Sequence, residues 1–362
     1  MSAQYHPRYA GRSRKKRSKF HRFVIFALAV LIIAAIGVGY LLYRVIYHPN
    51  VWLGGKEEMS VYIPSEADFE GVKQILYSHG IIINRRNFEW LAEKKKYPGN
   101  VKPGHYVIGE GMNNLQLINM LRAGKQVPVN VIFNNINTLE QLAGRVSQQI
   151  EADSADIIKL LNDSSFLSKY DLNPKTAGML FLPNTYEFYW TTNAQEFIKR
   201  MSREYENFWT AQRKALADSI GLSPEEVVIL ASIVQKETSK NDEKPRIAAV
   251  YLNRLNSGWR LQADPTLIYA IGDYSIKRVL NIHKRVDSPY NTYKYAGLPP
   301  GPICIPSIAS IEAVLEPDDN NYLFFCASPD MSGYHVFSKT HSQHIINARK
   351  YQKALDERKI YK

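Results

Sequence analysis

Two cysteines in 362 residues, Cys304 and Cys326, are too few for a disulfide framework, and neither stands in a spacing that could hold zinc. Both lie in apolar settings, Ile-Cys-Ile and Phe-Cys-Ala, and read as buried thiols. Acidic residues are missing from positions 1–44, which hold nine Lys and Arg. The formal charge of +12 therefore belongs mainly to the tail, leaving 37 basic against 34 acidic residues beyond it. A broad basic field over the folded part is absent, so nucleic acid is not an expected partner. Low-complexity tracts and internal repeats are also missing beyond the tail.

What is present begins with an uncharged run, Val24–Tyr43, of twenty residues. At about 1.5 Å rise per residue it spans roughly 30 Å, enough for a hydrocarbon core. The Lys and Arg before it are expected to stay in the cytoplasm, placing residues from 50 onward outside. Tyr40, Tyr43 and Tyr47 suit the far interface. A cleaved signal peptide fits less well, because the run is too long and no small-x-small site follows.

The expected class is α+β: a basic cytoplasmic tail over 1–22, a transmembrane helix over 23–43, a small α+β module over 58–126 and a larger mixed α/β domain over 127–362. In the module, a strand at Met59–Ile63 precedes helices at Ser65–Ser78 and Asn87–Lys95. A strand at Gly104–Ile108 and a helix at Asn114–Arg122 follow. In the larger domain a strand covers Val127–Phe133 and a capping box at Thr138–Gln141 starts a helix over 139–150. Segment 174–190 reads as an aromatic loop around Pro183, and a helix covers about 194–219.

Ser223–Glu226 is a further capping box, with Pro224 at the first helical position. The turns that follow, Val227–Val234, are apolar nearly all round, which marks a helix inside the core. Leu230, Ile233, Val234 and Glu237 share one face, so Glu237 extends an apolar stripe at the helix end. A carboxyl placed there loses hydration, and its pKa rises toward the range of a general acid. A capping or ion-paired glutamate is the plainer reading of such a position. Asp264-Pro265 likewise reads as a helix cap followed by Pro. The stretch 288–307 brings tyrosines and amides and then a loop stiffened by Pro299, Pro300, Pro302 and Pro306, groups that suit a sugar site.

The segments ASIVQKET, NRL, LQADPT, YNTY and GLPPGPI, in this order between residues 231 and 303, resemble the endolytic murein transglycosylase family, also called YceG-like. The likeness extends over roughly 58–350. It implies a single-pass enzyme of the cell inner membrane, with its catalytic domain in the periplasm. Such an enzyme cleaves the bond between N-acetylmuramic acid and N-acetylglucosamine and leaves 1,6-anhydro ends. The resemblance assigns the catalytic carboxylate to Glu237, and it marks Gln262, Asp264, Tyr290, Asn291 and Thr292 as substrate-binding residues. Where many members read EKET this chain reads QKET, so Gln235 removes a rival carboxylate. Where the family often has FPDTY it reads LPNTY, which leaves Asn184 in the place of an aspartate. The stretch Gly104–Lys125 separately resembles a LysM-like module, a type that often contacts glycan; a simple spacer is the alternative. Peptidoglycan glycan strands, the membrane and a peptidoglycan synthase are the implied partners.

Two other functions compete. His335, His341 and His344 raise a zinc peptidase, but His341 and His344 give two ligands on one helical face and no His-Glu-x-x-His signal accompanies them. No metal or other cofactor is expected. A non-catalytic, membrane-anchored glycan-binding scaffold is the stronger rival, and product chemistry separates it from an enzyme. The charge asymmetry itself is testable. Protease added to spheroplasts is expected to digest residues 50–362 and spare the basic tail, and protection of the C-terminal part overturns the exported arrangement.

Overall fold

Lys19–Tyr47 forms one continuous helix, α1, with Leu, Ala, Ile and Val in most positions and no proline. Its 29 residues rise about 43 Å, exceeding the expected 23–43 segment at both ends. None of its residues is buried, and among the described residues it is the one helix long and apolar enough to cross a membrane. The computed structural model describes residues 1, 2, 4, 19–276 and 278–358. Of the basic tail expected over 1–22, residues 3 and 5–18 lie outside the described residues, and 19–22 belong to α1. Two compact units follow the chain, Met1–Val127 and Pro128–Lys362.

In the first unit, β1 (Glu58–Ile63) pairs antiparallel with β2 (Gly104–Gly109), Glu58 lying opposite Gly109 and Ile63 opposite Gly104. The strand period sends Val61, Ile63, Tyr106 and Ile108 into a core closed by α2 (Phe69–Ser78), α3 (Arg85–Lys94) and α4 (Asn114–Ala123). Helix α2 starts at Phe69 rather than Ser65 because the Asp68 carboxylate caps it, accepting from Gly71 N at 2.8 Å. Asn84 does the same for α3, which begins two residues earlier than expected. The end of α1 is built into this unit. Ile46 packs against its core, and Asn114 Nδ2 donates to the Val45 carbonyl at 2.8 Å. Asn50 then bridges to Asn114 Oδ1 at 2.7 Å and to the Asn84 carbonyl at 3.0 Å.

The second unit has two hydrophobic cores. Around the first, β3 (Val129–Phe133) pairs antiparallel with β4 (Asn184–Phe188) under α5 (Leu139–Ser147), α6 (Ser154–Leu161), α7 (Ser164–Leu167) and α8 (Ala194–Phe208). The β4 strand corrects the loop expected there: Tyr186 and Phe188 point inward while Thr185 and Glu187 stay out, and Pro183 only precedes it. The helix expected over 194–219 is two, because the chain leaves helical geometry at Trp209 and Thr210 caps α9 (Ala211–Ser219).

The second core surrounds α10 (Pro224–Glu237), whose capping box forms and whose residues Val227–Val234 are all buried. Against it lie α11 (Lys244–Asn256), α12 (Asp264–Ile271) and α13 (Ile308–Leu315). A hairpin of β5 (Phe324–Ala327) and β6 (His335–Ser338) and the final helix α14 (His341–Glu357) complete the unit. The proline-rich loop is fastened to α10: Ser232 Oγ donates to the Ile229 carbonyl at 2.6 Å and accepts from Ile303 N at 3.0 Å.

Gly301 lets this loop lie directly on the chain at 175. A Cβ there would sit 2.3 Å from the Lys175 carbonyl oxygen and 3.0 Å from the Tyr290 hydroxyl. Gly301→Ala is therefore expected to destabilise the protein by about 1–3 kcal/mol through overpacking. Urea unfolding checks this, and an unchanged midpoint means the loop can back away freely.

Candidate active site

The buried face of α10 runs out at its last turn, and Glu237 emerges there into a cleft of ≈ 310 Å³. Its carboxyl is half-buried, with its open side on the cleft. From α11, Tyr251 comes up through the core, itself buried, and its hydroxyl donates to Glu237 Oε1 at 2.5 Å. Arg254 lies one turn further along the same face. Its guanidinium is buried, donating to the Leu323 carbonyl at 2.8 Å and to the Leu261 carbonyl. From α12, Asp264 faces the same cleft, and Phe324, Phe325, His341 and His344 form a further wall.

Burial pushes the Glu237 carboxyl up to about 7, and the Asp264 charge adds to this. The Tyr251 hydrogen bond, then His335 and Arg254, pull in the other direction. Tyr251 is itself held well above the phenol range, mainly by burial, so it stays a donor. The result is a carboxyl near the balance between acid and base at neutral pH. Burial first, then His341 and Arg254, holds the His344 imidazole low, and its ring stacks on Phe324 at 5.4 Å. A larger groove of ≈ 630 Å³ runs beside α8, but its carboxylates, Glu187 and Glu196, are exposed among Lys199, Arg200 and Arg203. Size alone does not locate the chemistry.

Of the residues singled out in the sequence, Glu237, Gln262 and Asp264 meet in the cleft. Asp264 is not the cap that Asp-Pro suggests: Ala263 occupies the cap position with no side-chain bond, and Asp264 Oδ1 accepts from the Tyr293 hydroxyl at 2.5 Å. Gln262 has a φ of 49°, a left-handed conformation that non-glycine residues adopt at some cost. Tyr290, Asn291 and Thr292 do not line the cleft. All three are buried beneath it. Asn291 Nδ2 donates to the carbonyls of Lys284 and Val286, its Oδ1 accepts from Tyr293 N, and Thr292 Oγ1 accepts from Ala263 N at 3.0 Å. They fix the turn that delivers Tyr293 and join it to the start of α12.

Several groups of the site went unread in the sequence. Tyr251 precedes Arg254 by three residues on α11, and the latter stands inside NRL, so helical spacing from that segment could have found it. Tyr293 closes YNTY, one residue beyond those named. His341 and His344 were weighed only as metal ligands, and both reach the cleft; His335 instead donates through its backbone N to the buried Glu243 at 2.6 Å, with its Nδ1 2.9 Å from the other carboxylate oxygen. Gln235 lies outside the cleft lining, where its Oε1 accepts from Ser307 Oγ at 2.6 Å and Ser310 Oγ at 2.7 Å. Asn184 begins β4 opposite Phe133.

Residues 61–350 match the YceG-like family. An endolytic murein transglycosylase of Bacillus subtilis is 28% identical over 320 residues, covering 84% of this chain and 87% of the relative. One from Streptococcus pneumoniae is 26% identical over 339 residues and again covers 84% of this chain, which spans 61% of that longer protein. The crystal structure of a yceG-like protein from Listeria monocytogenes superposes with a TM-score of 0.53 at 30% identity, covering 81% of this chain and 99% of that one.

The raised pKa of Glu237 has a stability consequence of definite sign. A carboxyl that titrates near 7 when folded and near 4.5 when unfolded holds its proton more tightly in the folded state. Folding stability is therefore lost as pH rises from about 4.5 through about 7. Glu237→Gln removes that loss, so the variant's melting temperature is expected to gain on the wild type between pH 5 and pH 8. A constant difference across this range contradicts the desolvated carboxyl.

Proposed function

Because the chain belongs to the YceG-like family, we propose that it is a membrane-anchored lytic transglycosylase that cuts peptidoglycan glycan strands internally, with Glu237 as its acid and base. The observation that carries this reading is a desolvated carboxyl, poised near neutrality, in the lining of a cleft. The names of the B. subtilis and S. pneumoniae relatives support the reaction class.

In the proposed reaction Glu237, protonated, gives its proton to the oxygen between N-acetylmuramic acid and N-acetylglucosamine. The bond from that oxygen to the muramoyl anomeric carbon breaks, and the N-acetylglucosamine side leaves with a hydroxyl. Glu237, now a carboxylate, takes the proton of the muramoyl C6 hydroxyl as its oxygen bonds to the anomeric carbon. A 1,6-anhydro ring closes, and Glu237 is again protonated. No water is consumed, so one residue can serve both steps. Tyr251 holds Oε1 and leaves the other oxygen to face the bond being cut.

Helix α1 is the proposed single-pass anchor, with the N-terminus in the cytoplasm and both later parts in the periplasm of an inner-membrane protein. Residues 58–126, LysM-like in sequence, are proposed to position glycan, and the cut to limit strand elongation beside a peptidoglycan synthase.

Mass spectrometry of fragments released by the protein tests the reaction. Wild type is expected to leave anhydro-muramoyl ends, and Glu237→Gln to fold, bind glycan and release about 10²–10⁴-fold fewer. Reducing ends would mean a hydrolase, and anhydro ends from Glu237→Gln at the wild-type rate would assign the chemistry elsewhere.

A further inference from the structure

The cleft holds a second carboxylate that neither proton transfer uses. Asp264 is the first residue of α12, is exposed to the cleft, and makes no capping bond with its own helix. Tyr293 donates to its Oδ1 at 2.5 Å; among the described residues Oδ2 accepts no hydrogen bond. Tyr293 is in turn delivered by the buried Asn291, and Thr292 Oγ1 accepts from the backbone N of Ala263, immediately before Asp264. This is a large amount of fixed structure for one surface carboxylate. The carboxylate thus stands at the N-terminal end of a helix, held in place by a phenolic hydrogen bond.

We propose that Asp264 is a second catalytic group, whose carboxylate stabilises the positive charge that develops at the anomeric carbon while Glu237 protonates the leaving oxygen. The inference rests on the transglycosylase reading above. As the glycosidic bond breaks, its electron pair leaves with the oxygen and the muramoyl ring becomes oxocarbenium-like. In a reaction without water the charge persists until the C6 oxygen supplies a new pair, which closes the ring. Asp264 forms no bond and exchanges no proton in this sequence. It acts as a fixed anion in a site where Arg254, the buried cation of the cleft lining, is engaged by two backbone carbonyls. Two carboxyls thus stand in different environments: Glu237 desolvated at the end of a core helix, Asp264 exposed to the cleft and held by a phenol.

A role in catalysis, in sugar binding or in folding makes different marks. Asp264→Asn keeps the shape and an acceptor for Tyr293 but removes the charge. Its kcat is expected to fall about 10²–10³-fold with KM little changed, since the lost interaction exists only in the transition state. The few products formed should still carry anhydro ends. A second mark is independent of rate. Tyr251, Arg254, Tyr293, His335, His341 and His344 also surround Glu237, and all of them remain in the variant. Because the Asp264 charge raises the Glu237 pKa, the alkaline limb of the pH–rate profile should move to lower pH. Tyr251→Phe, which removes a bond that lowers that pKa, should move it to higher pH. Asp264→Ser serves as a second neutral variant should the asparagine fold poorly, and Asp264→Glu should recover part of kcat. Wild-type kcat within about threefold in both neutral variants, or a loss confined to KM, overturns the proposal. If Glu237→Gln retains wild-type release of anhydro ends, it is the transglycosylase assignment that fails, whatever Asp264→Asn does.

Discussion

Carboxyl groups leave water reluctantly, and the hydrogen bond from Tyr251 to Glu237 is what makes a partly buried one tolerable here. The donor is buried and is held by burial in its neutral form, so its hydroxyl proton stays available to Glu237 throughout the range where that carboxyl titrates. It joins the end of α10 to the middle of α11, the two helices that share the second core of the larger unit. The packing of Val227–Val234 fixes where α10 ends, and so where the Glu237 carboxyl is held. A helix buried on all sides cannot slide by a turn without exposing apolar surface on one end and burying Lys236 on the other. The position of the carboxyl is therefore a by-product of core packing.

Surrounding this point is a layer that never touches the cleft. Gln235 takes the hydroxyls of Ser307 and Ser310, tying the last turn of α10 to the start of α13. Ser232 takes Ile303 N and holds the proline-rich loop. Asn291 and Thr292 anchor the turn before Tyr293. Each of these polar side chains lies at or near an irregular stretch, where backbone groups have no helix or sheet to satisfy them. Amide- and hydroxyl-rich sequence beside a cleft thus has two possible destinations, sugar or backbone, and here most of it goes to backbone.

That division explains what could be read in advance. The α10 box, its apolar run and the emergence of Glu237 were legible because all three follow from one helical period. So were the antiparallel pair in the first unit and the helices that cover it, apart from starts displaced by the Asp68 and Asn84 caps. The β4 strand was hidden by Pro183, which looks like a loop signal although it stands just outside the ladder. Tyr290, Asn291 and Thr292 lie in the YNTY segment that carries the resemblance, and neither a motif nor residue type reveals which way a side chain turns in a tight loop. Tyr251 and Arg254 were missed for the complementary reason: on a core helix they look like packing until a partner from another element meets them. Contacts between elements far apart in the chain leave no periodic trace.

The junction at the end of α1 has a consequence of a different kind. A domain on a flexible tether searches a volume set by linker length, and its encounters with a substrate follow from that search. Here the last turn of α1 donates Ile46 to the core of the first unit, and the Val45 carbonyl takes the side chain of Asn114. The end of the helix is consequently part of the packing of the first unit. With α1 in a bilayer, that unit would have a set height and heading relative to the membrane surface. Its reach would then be decided by distance from the lipid, as with a ruler, and not by diffusion on a leash.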